Sequence, residues 1–168
     1  FNRKDLVSMI PYGRQDITEE DIEGVIKVLR SDFITQGDVV PAFEKKLAEY
    51  SKSKFSIVVN SATSALHIAC KALSVGPGDL VWTSANTFAA SSNCALYCGA
   101  NVDFVDIDPE TYNISIEALT NKLEIAKKNK RLPQVIIPVH LCGQSCDMRS
   151  IHELSKKFGF KIIEDASH

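Results

Sequence analysis

The sequence predicts an α/β fold, a mostly parallel sheet with helices on both faces. Apolar runs of strand length alternate with helical patterns almost from end to end. Five short hydrophobic strands separated by helical crossovers argue for a parallel sheet covered on both faces. With 168 residues, 45% hydrophobic and 24% charged, the chain has the size and composition of one globular domain.

The elements follow in order. Thr18-Glu19-Glu20-Asp21 is a near capping box, with Asp where Glu is usual, and Ile22, Val25, Ile26 and Leu29 recur behind it at helical spacing. Asp32 to Gly37 breaks that pattern. Pro41 opens a second helix carrying Phe43, Leu47 and Tyr50. Phe55 to Val59 reads as a strand, and a helix from Thr63 places Leu66, Ala69, Cys70 and Leu73 on one face. After the turn Gly76-Pro77-Gly78-Asp79, Leu80 to Thr83 is a strand and Phe88 to Tyr97 a helix. Val102 to Ile107, Val135 to Val139 and Phe160 to Glu164 complete five strands. Ser115 to Lys128 and Asp147 to Phe158 are the helices between them. Lys127, Lys128, Lys130 and Arg131 gather where cations suit a helix C-terminus.

The composition excludes several roles. Nineteen Lys and Arg against twenty-one Asp and Glu give a net charge of −2, which removes the electrostatic case for nucleic acid or an anionic membrane surface. No apolar run approaches the roughly 20 residues of a membrane span, and residues 1–8 lack the apolar block of a secretory signal. The chain opens on Phe1, and Met9 is an alternative start, so residues 1–9 read as a leader of unknown status. Five cysteines cannot all pair. Cys94/Cys98 and Cys142/Cys146 have spacings a zinc site permits, but neither pair sits in a knuckle turn, and reduced, buried thiols are the expectation. The compartment is read as cytoplasmic.

Three strand-to-helix junctions could carry chemistry, all on the carboxyl edge of the sheet, where ligands of open parallel sheets collect. Asn60-Ser61-Ala62-Thr63-Ser64 is small and hydroxyl-rich; a helix start there presents free N–H groups to an anion, or Ser61 or Thr63 simply caps it. Phe88 either stacks on a planar ligand or belongs to the core. Asp165, past the last strand, could ligate a metal, act as a base or pair with a cationic ring nitrogen, and His168 follows three residues later. His67, His140 and His152 read as structural. Neither common nucleotide-binding glycine loop is present.

The strings Asn60-Ser61-Ala62-Thr63-Ser64-Ala65-Leu66-His67, Thr87-Phe88-Ala89-Ala90, Val105-Asp106-Ile107-Asp108-Pro109-Glu110-Thr111-Tyr112-Asn113, Pro138-Val139-His140-Leu141-Cys142-Gly143-Gln144 and Glu164-Asp165-Ala166-Ser167-His168 resemble the DegT/DnrJ/EryC1/StrS sugar aminotransferases. These are pyridoxal-phosphate enzymes of the aspartate-aminotransferase fold. The resemblance implies the N-terminal part of a fold type I large domain, truncated after His168, with residues 10–54 as a helical segment and 55–168 as a partial coenzyme-binding domain. It assigns Ala62 and Thr63 to the coenzyme phosphate, Phe88 to its ring face, Asp165 to its ring nitrogen and His168 to its phenolic-oxygen side. Tyr12, Asp32, Phe33, Ile34, Thr35 and Ser61 fall to the sugar nucleotide.

Ile10 to Gln15, Phe33 to Gly37 and Asn60 to Thr63 look most like the branch that aminates a UDP-4-keto-6-deoxy-N-acetylhexosamine in pseudaminic acid biosynthesis. The implied donor is glutamate and the implied assembly a homodimer. The family's Schiff-base lysine lies beyond His168, so no catalytic residue is assigned within the chain, and the fragment alone is expected to be inactive. The alternatives are a sugar dehydratase, in which histidine replaces that lysine, and a non-catalytic binding or assembly module of the same fold.

Overall fold

The computed structural model describes residues 14–168. The chain divides into two compact units, the first ending at Val58 and the second spanning Val59–His168. Tyr12 lies outside the described residues.

The first unit carries helices α1 (Glu19–Leu29) and α2 (Val39–Ser51). The capping box of α1 forms as the sequence predicts: the Asp21 N–H donates to Thr18 Oγ1, and the Thr18 N–H donates to the Asp21 carboxylate at 2.8 Å. Asp38 takes the N-cap position of α2, so Pro41 falls within the first turn, where its missing N–H leaves no hydrogen bond unmade.

The segment Phe55–Val59 forms no strand, contrary to the sequence reading. Strand propensity needs a partner ladder to be realised, and among the described residues nothing pairs with this stretch. Phe55 and Ile57 stand 75% and 72% exposed.

The second unit is a doubly wound sheet. Its elements run α3 (Ala62–Ala72), β1 (Leu80–Ser84), α4 (Ala90–Tyr97), β2 (Asn101–Val105), α5 (Ile116–Lys128), β3 (Val135–Ile137), α6 (Met148–Phe158) and β4 (Lys161–Ile162). The strands are all parallel in the order β2-β1-β3-β4. Side-chain alternation sends successive residues to opposite faces, and both faces are filled. Val81, Val135 and Ile137 pack with α3 and α4, around Leu66, Cys70, Cys94 and Ala95. Trp82 and Ile136 pack on the other side with α5 and α6, around Leu119, Leu123 and Ile151. The Sγ atoms of Cys70 and Cys94 lie 3.7 Å apart. That contact, reinforced by burial, holds the Cys94 thiol protonated far above the usual thiol range.

Chain order puts a switch point in this sheet. From β1 the chain moves to β2 on one side, then crosses back to β3 on the other, so a crevice opens between the carboxyl ends of β1 and β3. An isolated parallel bridge, Val139 to Asp165, extends the pairing beyond the ends of β3 and β4.

Several exposed carboxylates cap turns and helices. The Ser150 hydroxyl and N–H hold Asp147 below its ordinary value at the start of α6. The Thr18 N–H and hydroxyl do the same for Asp21, and the Thr111 N–H and hydroxyl for Asp108. A depressed folded-state pKa stabilises the fold above the unfolded value and ceases to do so as pH falls through the folded one. The melting temperature, followed by circular dichroism, should therefore be level at neutral pH and decline below about pH 4, the ordinary Asp range. Replacing Asp21, Asp108 and Asp147 together by Asn should flatten that acid limb. No described helix is long and apolar enough to cross a membrane.

Candidate functional site

A cleft of about 290 Å³ opens at the switch point of the sheet. Four chain segments reach it. The start of α3 contributes Ala62 and Thr63; the loop between β1 and α4 contributes Thr87 and Phe88. The stretch after β3 brings Val139 and Leu141, and the stretch after β4 brings Asp165, Ser167 and His168. The sequence reading predicted Ala62, Thr63, Phe88, Asp165 and His168 from three separate junctions, and all five line this one cleft.

At the α3 terminus the capping reading holds for Ser61. Its Oγ accepts the Ser64 N–H at 3.2 Å, and Ser64 Oγ donates to Asn60 Oδ1 at 2.7 Å. The first turn of a helix leaves further N–H groups without an internal partner. The Ser61 cap does not use the N–H groups of Ala62 and Thr63, two residues that line the cleft. An anion is the natural guest for such a terminus.

Phe88 lies in the loop before α4, one residue ahead of its N-cap, and not in the helix as the sequence predicts. It is 75% exposed, so the core reading fails. A large aromatic ring left in solvent at the rim of a cleft is available for stacking.

Asp165 is the opposite case, only 5% exposed. Ser91 Oγ donates to its Oδ2 at 2.7 Å, while the N–H and hydroxyl of Ser167 donate to Oδ1. Ser91 in turn shares a hydrogen bond of 2.7 Å with Thr87 Oγ1. No cation pairs with Asp165 among the described residues. A buried carboxylate held by neutral donors alone keeps an unspent attraction for positive charge, and here it faces a cleft. Ser91 escaped the sequence reading. Its signal was present, because Thr87 and Ser91 are four residues apart at the start of a helix.

The remaining sequence-predicted residues are placed as follows. Asp32, Phe33, Ile34 and Thr35 form the exposed connection between α1 and α2, with Phe33 70% and Ile34 66% exposed. His140 is engaged at both nitrogens, by the Cys146 N–H at 3.1 Å and by Glu164 Oε2 at 3.0 Å. His67 meets Tyr97 edge to face, their rings 5.5 Å apart. Among the described residues no three His, Cys, Asp or Glu side chains cluster as a metal site would require.

Fold and site together define a doubly wound α/β protein whose switch-point cleft offers a helix start, an exposed aromatic ring and a buried carboxylate without a cation among the described residues. The chain belongs to the DegT/DnrJ/EryC1/StrS aminotransferase family, which it matches over residues 15–168. It is 41% identical over 160 residues to the UDP-4-amino-4,6-dideoxy-N-acetyl-beta-L-altrosamine transaminase of Campylobacter jejuni strain 81-176, covering 95% of this chain and 41% of that protein.

Among solved structures it resembles Helicobacter pylori PseC, described as an aminotransferase involved in the biosynthesis of pseudoaminic acid. The TM-score there is 0.84 at 31% identity, covering 94% of this chain and 41% of that one. The putative sugar aminotransferase Spr1654 of Streptococcus pneumoniae, known in a PLP form, matches at TM-score 0.83 and 32% identity, over 95% of this chain and 43% of that one. The chain spans about 40% of the length of the curated relatives it matches.

Proposed function

We propose that this chain is the coenzyme-binding portion of a pyridoxal-phosphate-dependent sugar-nucleotide aminotransferase. Its substrate is a UDP-4-keto-6-deoxy-N-acetylhexosamine, converted to the 4-amino sugar with glutamate as donor, in the manner of pseudaminic acid biosynthesis. The observation that carries this reading is Asp165, a buried carboxylate with no cation of its own, in a cleft whose other walls suit a phosphate and a flat ring. When bound, the coenzyme's protonated ring withdraws electrons from the carbon that loses its proton.

The chain's own residues divide the work of holding it. Ala62 and Thr63 receive the phosphate on the α3 terminus, Phe88 covers the ring face, and Asp165 holds the proton on the ring nitrogen. His168 stands toward the phenolic oxygen. Tyr12, Asp32, Phe33, Ile34, Thr35 and Ser61 are the proposed contacts to the sugar nucleotide. The enzyme is proposed to be a cytoplasmic homodimer. These assignments draw on the family membership and on the names of the relatives at about 40% identity.

Among the described residues no lysine lines the cleft. The amine that anchors the coenzyme is proposed to lie outside this chain. Borohydride reduction of the full-length protein with pyridoxal phosphate should therefore give one acid-stable pyridoxyl lysine, and the 168-residue chain alone should give none. A specific adduct on the short chain would contradict the assignment. Saturable quenching of Trp82 fluorescence by the coenzyme, followed by glutamate-dependent amination of the UDP-4-keto sugar, tests the activity itself. No saturable response in the full-length protein would favour a non-catalytic module instead.

Ser91 offers a finer test. Hydrogen bonds to charged groups contribute about 1.5–3 kcal/mol, so Ser91→Ala in the full-length enzyme should lower kcat/KM roughly 10- to 100-fold. Its fold should remain intact by circular dichroism.

A further inference from the structure

We infer that His168 acts in the cleft as a fixed hydrogen-bond donor through Nε2, its tautomer set by the backbone N–H of Cys142 on a turn clamped by Asn113. The Cys142 N–H donates to His168 Nδ1 at 3.1 Å. A ring nitrogen that accepts a hydrogen bond carries no proton, so the neutral imidazole keeps its single proton on Nε2. His168 lines the cleft beside Asp165, and Nε2–H is the only donor its ring can offer there.

The turn that delivers this N–H is not relaxed backbone. Cys142 sits at φ 54° and ψ 28° within the turn Leu141–Gly143, a left-handed conformation that residues with a β-carbon keep only when their surroundings enforce it. Asn113 supplies the enforcement from the connection between β2 and α5. It is 4% exposed; its Oδ1 accepts the Leu141 N–H at 3.2 Å, and its Nδ2 donates to the Gln144 carbonyl at 3.0 Å. One buried amide thus grips the turn on both sides of Cys142. The donor and acceptor at the turn also fix which end of that amide is oxygen.

The same loop treats a second imidazole the same way. His140 Nδ1 accepts the Cys146 N–H, which leaves its Nε2–H to donate to Glu164. Two histidines are each set by a backbone N–H, but among the described residues His140, and not His168, has a protein carboxylate opposite its Nε2. The Nε2–H of His168 is left for a ligand acceptor. A donor locked in this form suits an anionic oxygen and cannot serve as a base through the atom it presents. The inference rests on the coenzyme reading for what the donor serves, though not for the tautomer itself.

The test is nitrogen NMR on the full-length, coenzyme-free protein labelled with 15N, His168 being assigned by the signals lost in His168→Gln. The expected result is the Nε2–H tautomer, with a coupling across the hydrogen bond from the Cys142 amide nitrogen to His168 Nδ1. An Nδ1–H tautomer, an even mixture, or no such coupling overturns the inference, whatever any variant does. Cys142→Gly keeps the N–H and eases the left-handed backbone, so it should preserve the signature. Cys142→Pro removes the N–H and should abolish it, and an unchanged tautomer in a folded Cys142→Pro protein overturns the inference too. Normal coenzyme binding with the wrong tautomer refutes this inference alone. The right tautomer without coenzyme binding refutes only the coenzyme reading.

Discussion

Replacing Asp165 by Asn in the full-length enzyme should cut kcat for the glutamate half-reaction by about 10²–10³-fold or more, the range lost when a preorganised electrostatic partner is removed. Asn has nearly the same shape, so the cleft keeps its walls. What would disappear is the negative charge that, in the proposed role of Asp165, holds a proton on the ring nitrogen. Burial sharpens the effect, because at 5% exposure water does little to screen the carboxylate. Asp165→Glu should recover little. Ser91 and Ser167 grip the shorter side chain at both oxygens, and the extra methylene would pull the charge out of that grip. Stopped-flow absorbance of the coenzyme band with glutamate measures the rate directly. An Asn variant within a few-fold of wild type would remove the basis for the proposed function.

The largest loss of stability should come from Trp82→Ala, about 3–5 kcal/mol as for other buried Trp and Phe truncations. Trp82 sits at the centre of β1, 2% exposed, with Leu119, Leu123 and Ile136 in the same cluster. Lys122 lies over its ring at 4.9 Å and also reaches Asp103 at 2.8 Å, covering the ring on the edge side of the sheet. Trp82→Phe should lose much less. The indole N–H is buried without a hydrogen-bond partner among the described residues, and a buried unsatisfied donor costs about 1–3 kcal/mol. Removing it offsets part of the lost packing. Urea denaturation of the full-length protein and both variants measures the order. A Phe variant as unstable as the Ala variant would mean that the indole N–H is satisfied in solution.

The helices were legible because their signals are local. Thr18 with Asp21, Ser115 before α5 and Asp147 before α6 each mark a helix start with a side chain that accepts a backbone N–H a few residues on. Strands β1 and β3 were legible because Val81, Trp82 and Val135 to Ile137 form apolar runs buried on both faces, whereas β2 and β4 carry Asp103 and Lys161 and were marked by the apolar residues around them. Phe55 to Val59 shows the limit of that signal. Its composition is that of a strand, yet a strand exists only when another backbone completes its ladder, and composition holds no record of the partner.

The sequence by itself determined the layer architecture, the residue types at each junction before a helix and the family, because propensity, periodicity and motif strings are properties of neighbouring residues. Only the tertiary structure decided that Thr63, Phe88, Asp165 and His168 share one cleft. It also showed that Phe88 is exposed while Asp165 is buried, and that Ser91 and Asn113 support the site from a distance in the chain. Those outcomes depend on strand order and on which backbone groups are left unpaired, quantities summed over contacts between residues far apart in sequence.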